Sequence, residues 1–433
     1  MSQLFSLLGM AAFVGIAYGL STDRKAIDFK LVRNGFLIQL VLGLLVLGIP
    51  ALGVPGVLGF LFAAANDFFM AIISFTDRGT GFLVGSYIDK SEKGFVFVLH
   101  ALPPIIFFSS LMSVLYHMGI MQYLVRGMAW IMFRFMGTSG AESLSMAANV
   151  FVGQTEAPLV VKPYVNKMTP SELMALMTGG MATIAGGVLA GYVGMLGDKI
   201  PNIAGHLLTA SVMSAPAAFI FAKILIPENK KPETLGTLPA NVGDEKSINV
   251  IEAAAKGAAD GLKMALNVAA MLLAFIALIA AANGLLGWIG DLVGFTEWGQ
   301  SFVPTLLQGD QPVNLSIELV LGWIFAPLAF LMGIPWSEAA VAGALLGQKI
   351  TLNEFVAYAE LVNVSEQLST RTSVILSYAL CGFANFSSIA IQIGGIGEIA
   401  PHRKSELAQF GFRAMVGGSL AAFMTACIAS LLI

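Results

Sequence analysis

Two short polar stretches interrupt long apolar ones, and they carry most of the side chains able to do chemistry. The first is Asn149-Val150-Phe151-Val152-Gly153-Gln154-Thr155-Glu156-Ala157-Pro158, and the second is Gly347-Gln348-Lys349-Ile350-Thr351-Leu352-Asn353-Glu354. Gln154, Thr155 and Glu156 offer an amide, a hydroxyl and a carboxylate, enough to read a polar planar molecule edge-on. Glu354 with Asn353 offers an acceptor suited to vicinal hydroxyls. The Asn149 side chain and the Thr183 hydroxyl are hard oxygens, and unwound carbonyls near Val152 and Ile184 could join them. A set with no carboxylate suits a monovalent cation better than a divalent one. A third cluster, Phe383, Asn385 and Ser388, shares one face only if its helix unwinds. The ring would then pack on a substrate ring while Asn385 and Ser388 bond hydroxyls. Plainer readings stand beside these. Glu156 and Glu354 could be helix N-caps or belong to surface loops, and Asn385 and Ser388 could bond across a helix interface.

The elements that position these residues belong in a membrane. Of 433 residues 57% are hydrophobic and 11% charged, with a mean hydropathy of +0.82, whereas a soluble domain has about 25% charged residues. A net charge of -3 argues against a nucleic-acid partner, which calls for a basic patch. Cys381 and Cys427 lie in apolar stretches and read as small buried residues rather than a disulfide framework.

Residues 3–20 and 31–53 read as spans joined by a basic loop of Arg24, Lys25, Lys30 and Arg33, which the positive-inside rule places in the cytoplasm. No Lys or Arg precedes the first apolar run, so it reads as a retained span entering from outside, not a cleaved signal. Residues 54–92 read as an interfacial amphipathic helix, 95–117 as a third span and 119–136 as an amphipathic piece with Arg126 and Arg134. Runs 143–152 and 157–165 are each too short to cross hydrocarbon, which takes about 20 helical residues. They fit the arms of a re-entrant hairpin whose polar tip lies at the midplane, where irregular backbone survives only when shielded or facing a watery cavity. Residues 172–196 and 203–226 are spans, the first able to unwind along Thr183-Ile184-Ala185-Gly186-Gly187-Val188. A polar loop at 227–248 and a long helix at 250–290 follow. Residues 319–336 fit a span by hydropathy and an interfacial helix by symmetry. Arms at 338–347 and 355–363 form a second hairpin, 372–395 a span broken at Gly382–Ser388, and 406–432 the last span.

Each half thus holds a hairpin, a broken helix and a plain helix. Three crossings between the hairpins make the halves inverted, the usual plan of secondary transporters. The charges agree. Arg126, Arg134, Lys230, Lys231, Arg403 and Lys404 fall on the side of Arg24 and Lys25, and the opposite side keeps fewer, such as Lys90, Lys93 and Lys199. The expected fold is an all-α polytopic membrane protein with eight transmembrane helices, two re-entrant hairpins in inverted repeats and interfacial helices.

No G-x-x-x-x-G-K-[ST] loop is present, so ATP-driven pumping by this chain is not expected. There is no H-E-x-x-H, and His100, His117, His206 and His402 are scattered singly. No nucleophile–base or metal set supports an enzyme. Both tips carry a Glu without a compensating Arg, which disfavours an anionic solute.

At Gly153-Gln154-Thr155-Glu156-Ala157-Pro158, Gly347-Gln348-Lys349 with Asn353-Glu354-Phe355-Val356-Ala357-Tyr358, and Cys381-Gly382-Phe383-Ala384-Asn385-Phe386-Ser387-Ser388-Ile389, the chain resembles the concentrative nucleoside transporters, above all their bacterial sodium-coupled members. The likeness runs from about residue 1 to the C-terminus. It implies a homotrimer in the bacterial inner membrane that imports a uridine-like nucleoside with sodium and needs no other cofactor. Proton coupling is the alternative, and another neutral polar solute a more distant one. It further implies a static scaffold and a transport domain moving as an elevator: 1–136 scaffold, 137–226 first transport half, 227–317 loop and long scaffold helix, 318–433 second transport half. Gln154, Thr155 and Glu156 would bind the base, with Val188 lining its pocket. Glu354, Asn385 and Ser388 would hold the ribose, with Phe383 beside them. Sodium would meet the Asn149 side chain, the Val152 carbonyl, the Thr183 hydroxyl and the Ile184 carbonyl. Thr183 stands where relatives carry Ser, which keeps the hydroxyl on a stiffer side chain.

Overall fold

A computed structural model describes residues 2–49, 53–89, 96–239, 247–303 and 312–433; Lys90 and Lys93 lie outside the described residues. The described chain is helical, and its one β pairing is an isolated bridge between Ile49 and Val54. The first helices are α1 (Ser2–Gly19), α2 (Phe29–Leu47), α3 (Gly59–Val84), α4 (Leu102–His117) and α5 (Ile120–Met136). The α2 helix stops before the expected residue 53, because Gly48 turns the chain with φ 71°. The α3 helix is longer and more apolar than an interfacial piece requires. Gly59–Ile88 has the length and a mean hydropathy of 1.5 sufficient to cross a membrane. The α5 helix is amphipathic as expected, burying Met121, Val125, Ala129, Met132 and Met136 at helical spacing.

The first hairpin comprises α6 (Gly140–Asn149) and two short helices, α7 (Ala157–Val160) and α8 (Lys162–Val165); after it come α9 (Pro170–Ala182), α10 (Gly186–Leu196) and α11 (Ile203–Leu225). Both α6 and α9 begin with a capping box, Ser139 with Glu142 and Thr169 with Glu172. Each box satisfies orphan N–H groups that hydrocarbon could not. Next are α12 (Val250–Leu292), α13 (Ile317–Leu331), and a second hairpin of α14 (Trp336–Thr351) and α15 (Glu354–Val364); α16 (Thr370–Ala379), α17 (Phe386–Ile399) and α18 (Lys404–Leu432) close the chain. Residues 319–336 resolve into α13 and a 116° bend into α14.

The second hairpin departs from expectation. Its first arm runs on through Thr351, so Gly347, Gln348 and Lys349 lie inside α14, and only Leu352 and Asn353 separate the two arms. The polar run looked like a tip because a buried lysine is costly. Here the cost is offset: Lys349 Nζ donates to the Ala379 carbonyl at 2.9 Å, at the end of α16, where the helix dipole favours a cation. The ammonium also lies 5.6 Å from the centre of the Phe423 ring.

Among the described residues seven helices are long and apolar enough to cross a membrane, or eight if the bent pair α13–α14 counts as one span. The expected span at 3–20 appears as the shorter apolar helix α1, and that at 372–395 as two shorter helices, α16 and the apolar α17. The α9–α10 pair, α11 and α18 form the buried centre, and α3 and α12 are the most exposed of the long helices. Gly257 and Gly261 bring α12 onto α4, where a Cβ would come within 2.8 Å of Ser110 Cα and Ile106 Cα respectively, a small-residue contact typical of membrane helices. The α1 and α2 helices lie instead against the centre. Phe13 meets Phe423 at 5.7 Å, Gln39 Nε2 donates to Thr425 Oγ1 at 2.8 Å, and the hydroxyls of Ser6 and Ser430 are 2.9 Å apart. Packing therefore groups α1 and α2 with α11 and α18, not with α4 and α12.

Candidate substrate and ion site

The site lies where two broken helices meet two hairpin tips. The α9–α10 pair is unwound from Thr183 to Ala185, and α16–α17 from Leu380 to Asn385. The two breaks touch. Phe383 N–H donates to the Thr183 carbonyl at 3.3 Å, and a Cβ on Gly382 would come 2.8 Å from the Met181 carbonyl oxygen. Irregular backbone is thus shielded by irregular backbone, the condition for it to exist inside a membrane.

Gln154 is buried at the first tip and donates Nε2–H to Ser388 Oγ across the halves, at 3.0 Å. Ser388 sits in the first turn of α17, whose N-cap is Asn385: Asn385 Oδ1 accepts from Ser388 N–H (2.8 Å) and from Ser387 Oγ (2.7 Å). This leaves Asn385 Nδ2 to donate to Glu354 Oε2 at 3.1 Å. Glu354 Oε1 accepts from Tyr192 Oη at 2.8 Å. Glu354 is not an N-cap; Asn353 is, accepting from Val356 N–H at 2.9 Å. Glu354 is therefore a buried carboxylate with two acceptor positions used and others left. Asn385 serves both readings, capping α17 while aiming its amide at Glu354.

The remaining expected residues are placed differently. Thr155 is half-buried, with its methyl against Gly395 on α17. Glu156 is exposed at the start of α7 without a capping bond, and its carboxylate folds back over Gly153, where a Cβ would push it aside. Val188 is buried in the first turn of α10, and Phe383 is half-buried in the second break.

The cation donors form a second cluster. Asn149 ends α6 almost fully buried, and neither its Oδ1 nor its Nδ2 has a hydrogen-bond partner. Such an orphan costs about 1–3 kcal/mol unless something else binds it. Thr183 Oγ1 reaches the Asn149 carbonyl (2.9 Å) and the Gly179 carbonyl (3.0 Å), so its lone pairs face outward from that contact. Among the described residues neither the Val152 nor the Ile184 carbonyl accepts a hydrogen bond. Oxygens without a carboxylate fit a monovalent cation, and no cluster of His, Cys, Asp and Glu competes for a heavier metal among the described residues. Both cysteines are free and buried.

Three participants escaped the sequence. Tyr192 and Gln392 follow Val188 and Ser388 by four residues, so helical periodicity puts each on the same face; Lys349 had no assigned partner.

Residues 8–87 and 206–430 match models of the Na+ dependent nucleoside transporter N-terminus and C-terminus, and 98–199 match a nucleoside recognition gate. The nucleoside permease NupC of Helicobacter pylori is 42% identical, with 100% of this chain and 98% of that protein covered. Sodium/nucleoside cotransporter 1 of Rattus norvegicus is 38% identical over 99% of this chain and 64% of its own length. The solved structure of CNTnw in an inward-facing substrate-bound state superposes with a TM-score of 0.87 at 46% identity, covering 100% and 98% of the two chains. Matched along nearly its whole length, the chain belongs to the Na+-dependent concentrative nucleoside transporters, multi-pass membrane carriers rather than enzymes.

Proposed function

We propose that this chain is a sodium-coupled symporter that imports uridine-like nucleosides across the bacterial inner membrane by moving its hairpin-bearing domain as an elevator. The observation that carries the reading is the polar chain from Gln154 through Ser388 to Asn385 and Glu354 beside the orphaned Asn149 amide. Glu354 accepts from the ribose hydroxyls, which in turn accept from Asn385 and Ser388; Gln154, Thr155 and Glu156 face the base, lined by Val188, with Phe383 against the rings. Sodium is held by Asn149, the Val152 carbonyl, Thr183 and the Ile184 carbonyl. It orders the first tip, and by linkage the nucleoside raises sodium affinity by the same factor.

The moving body contains both hairpins, α9–α11 and α16–α18. Its packing adds α1 and α2, leaving α4 and α12 as the scaffold. The exposed apolar side chains of α12, among them Leu266, Leu273 and Leu285, suit a homotrimer contact. The N-terminus lies outside. Uridine uptake into proteoliposomes is expected to need an inward sodium gradient. Equal uptake with choline in place of sodium at constant pH would remove sodium coupling and leave protons. No saturable uridine uptake under either gradient would remove the substrate reading.

A further inference from the structure

Gln392 lies in the middle of α17, fully buried, and donates through Nε2 to two oxygens: the Met177 carbonyl at 2.9 Å and Gln154 Oε1 at 3.1 Å. Amide ends are interchangeable by shape, so their orientation must be argued from partners. A backbone carbonyl can only accept. The end of Gln392 facing Met177 is therefore the NH2 group, and its second hydrogen points at Gln154. That in turn makes the facing atom of Gln154 its oxygen and turns the Gln154 NH2 group toward Ser388. Gln392 Oε1 is buried without a partner, so no competing donor favours the reverse arrangement. Gly180 on α9 leaves the room: a Cβ there would come 2.7 Å from Gln392 Nε2 and 2.8 Å from Gln154 Cβ.

One hydrogen of the Gln154 NH2 group goes to Ser388 Oγ, and the other is left for the substrate. We propose that Gln392 is a specificity-determining positioning residue: anchored on the Met177 carbonyl, it locks the Gln154 amide so that the nucleobase meets an N–H donor and a base carbonyl is preferred to an amino group there. The inference rests on Gln154 facing the base, as proposed above.

The test is competitive binding of uridine, cytidine and isocytidine to the purified full chain in saturating sodium. Cytidine replaces the 4-carbonyl of the base by an amino group, and isocytidine replaces the 2-carbonyl. One of the two therefore sets a donor against the Gln154 donor and should bind about tenfold or more weaker than uridine. Gln392→Met keeps the length but removes both donors, so the Gln154 amide can turn over and that penalty should fall to within about threefold. Gln392→Asn keeps the amide but shortens its reach, and should give an intermediate ratio if the Met variant does not fold. Equal binding of all three analogues by the wild type overturns the proposal, as does a parallel loss with an unchanged ratio in a folded variant. If none of the three binds the wild type, the nucleoside reading itself fails.

Discussion

In the first half, the Asn149 amide ends α6 beside the α9–α10 break with neither side-chain atom bonded to protein. In the second half, Lys349, in the last turn of α14, sets its ammonium on the final carbonyl of α16. The hairpin bases differ in a complementary way. Ser171 and Arg371 are each the second residue of a broken helix, and Lys223 and Ser430 are each third from the end of a plain helix. Lys223 Nζ donates to Ser171 Oγ at 3.1 Å, whereas Arg371 Nη2 donates to Ser430 Oγ at 2.8 Å. Cation and hydroxyl have exchanged helices while the pair has kept its place. The repeat thus conserves where a positive charge sits, not which element supplies it. By the same logic the tip with a tethered ammonium needs no exchangeable cation, and the tip without one is where the proposed sodium donors gather.

The largest expected effect is at the carboxylate that only the second half buries at its tip. Glu354→Gln keeps the shape but exchanges charge-assisted bonds for neutral ones at two ribose hydroxyls, so uridine affinity should fall on the order of 100-fold. Calorimetry in saturating sodium measures this, with the oligomer checked by size. Wild-type affinity would make Glu354 a structural residue, held by Tyr192 and Asn385 alone.

The contrast between the tips can be broken by a matched pair of variants. Asn149→Ala should weaken sodium binding to the nucleoside-free protein about tenfold, while uridine affinity recovers at high sodium, because only the first half is altered. Lys349→Met removes the ammonium that fixes α14 to α16. It should weaken uridine about tenfold through displaced Glu354 and leave sodium affinity of the nucleoside-free protein unchanged. If Lys349→Met moves sodium affinity as far as Asn149→Ala does, the two tips are one electrostatic unit and the comparison fails.

How much of the fold and site is legible in the sequence follows from the same contrast. The first tip shows because a polar run lies between arms too short to cross, and the two breaks, at Thr183–Ala185 and Leu380–Asn385, because glycine-containing stretches interrupt runs of span length. The second tip was misplaced because Gln348 and Lys349 look polar in sequence yet are buried against a helix end 30 residues later. The pairings that assemble the site, Gln154 with Ser388 and Gln392, and Glu354 with Tyr192, join residues more than 150 apart. No local spacing encodes them. Periodicity places Gln392 and Tyr192 on the correct faces, but their partners are set by how the two breaks cross.

The smallest effect concerns the Lys199–Glu366 pair, which ties the turn after α10 to the end of the second hairpin at 2.7 Å. Its Glu366 carboxyl is held below the usual carboxylate range by the hydrogen bond and charge of Lys199. A folded value below the unfolded one means that whatever the pair contributes is present at neutral pH and is lost as pH falls through the folded value. The pair is solvent-facing, with Glu366 81% exposed, so water and salt screen it. Lys199→Gln should therefore leave uridine affinity within about twofold at pH 7, with even that difference gone in high salt or once the pH has fallen through the lowered folded value of Glu366. A tenfold loss at neutral pH, erased by salt, would make this strap a further link between the halves and would move part of the coupling from the buried tips to the surface.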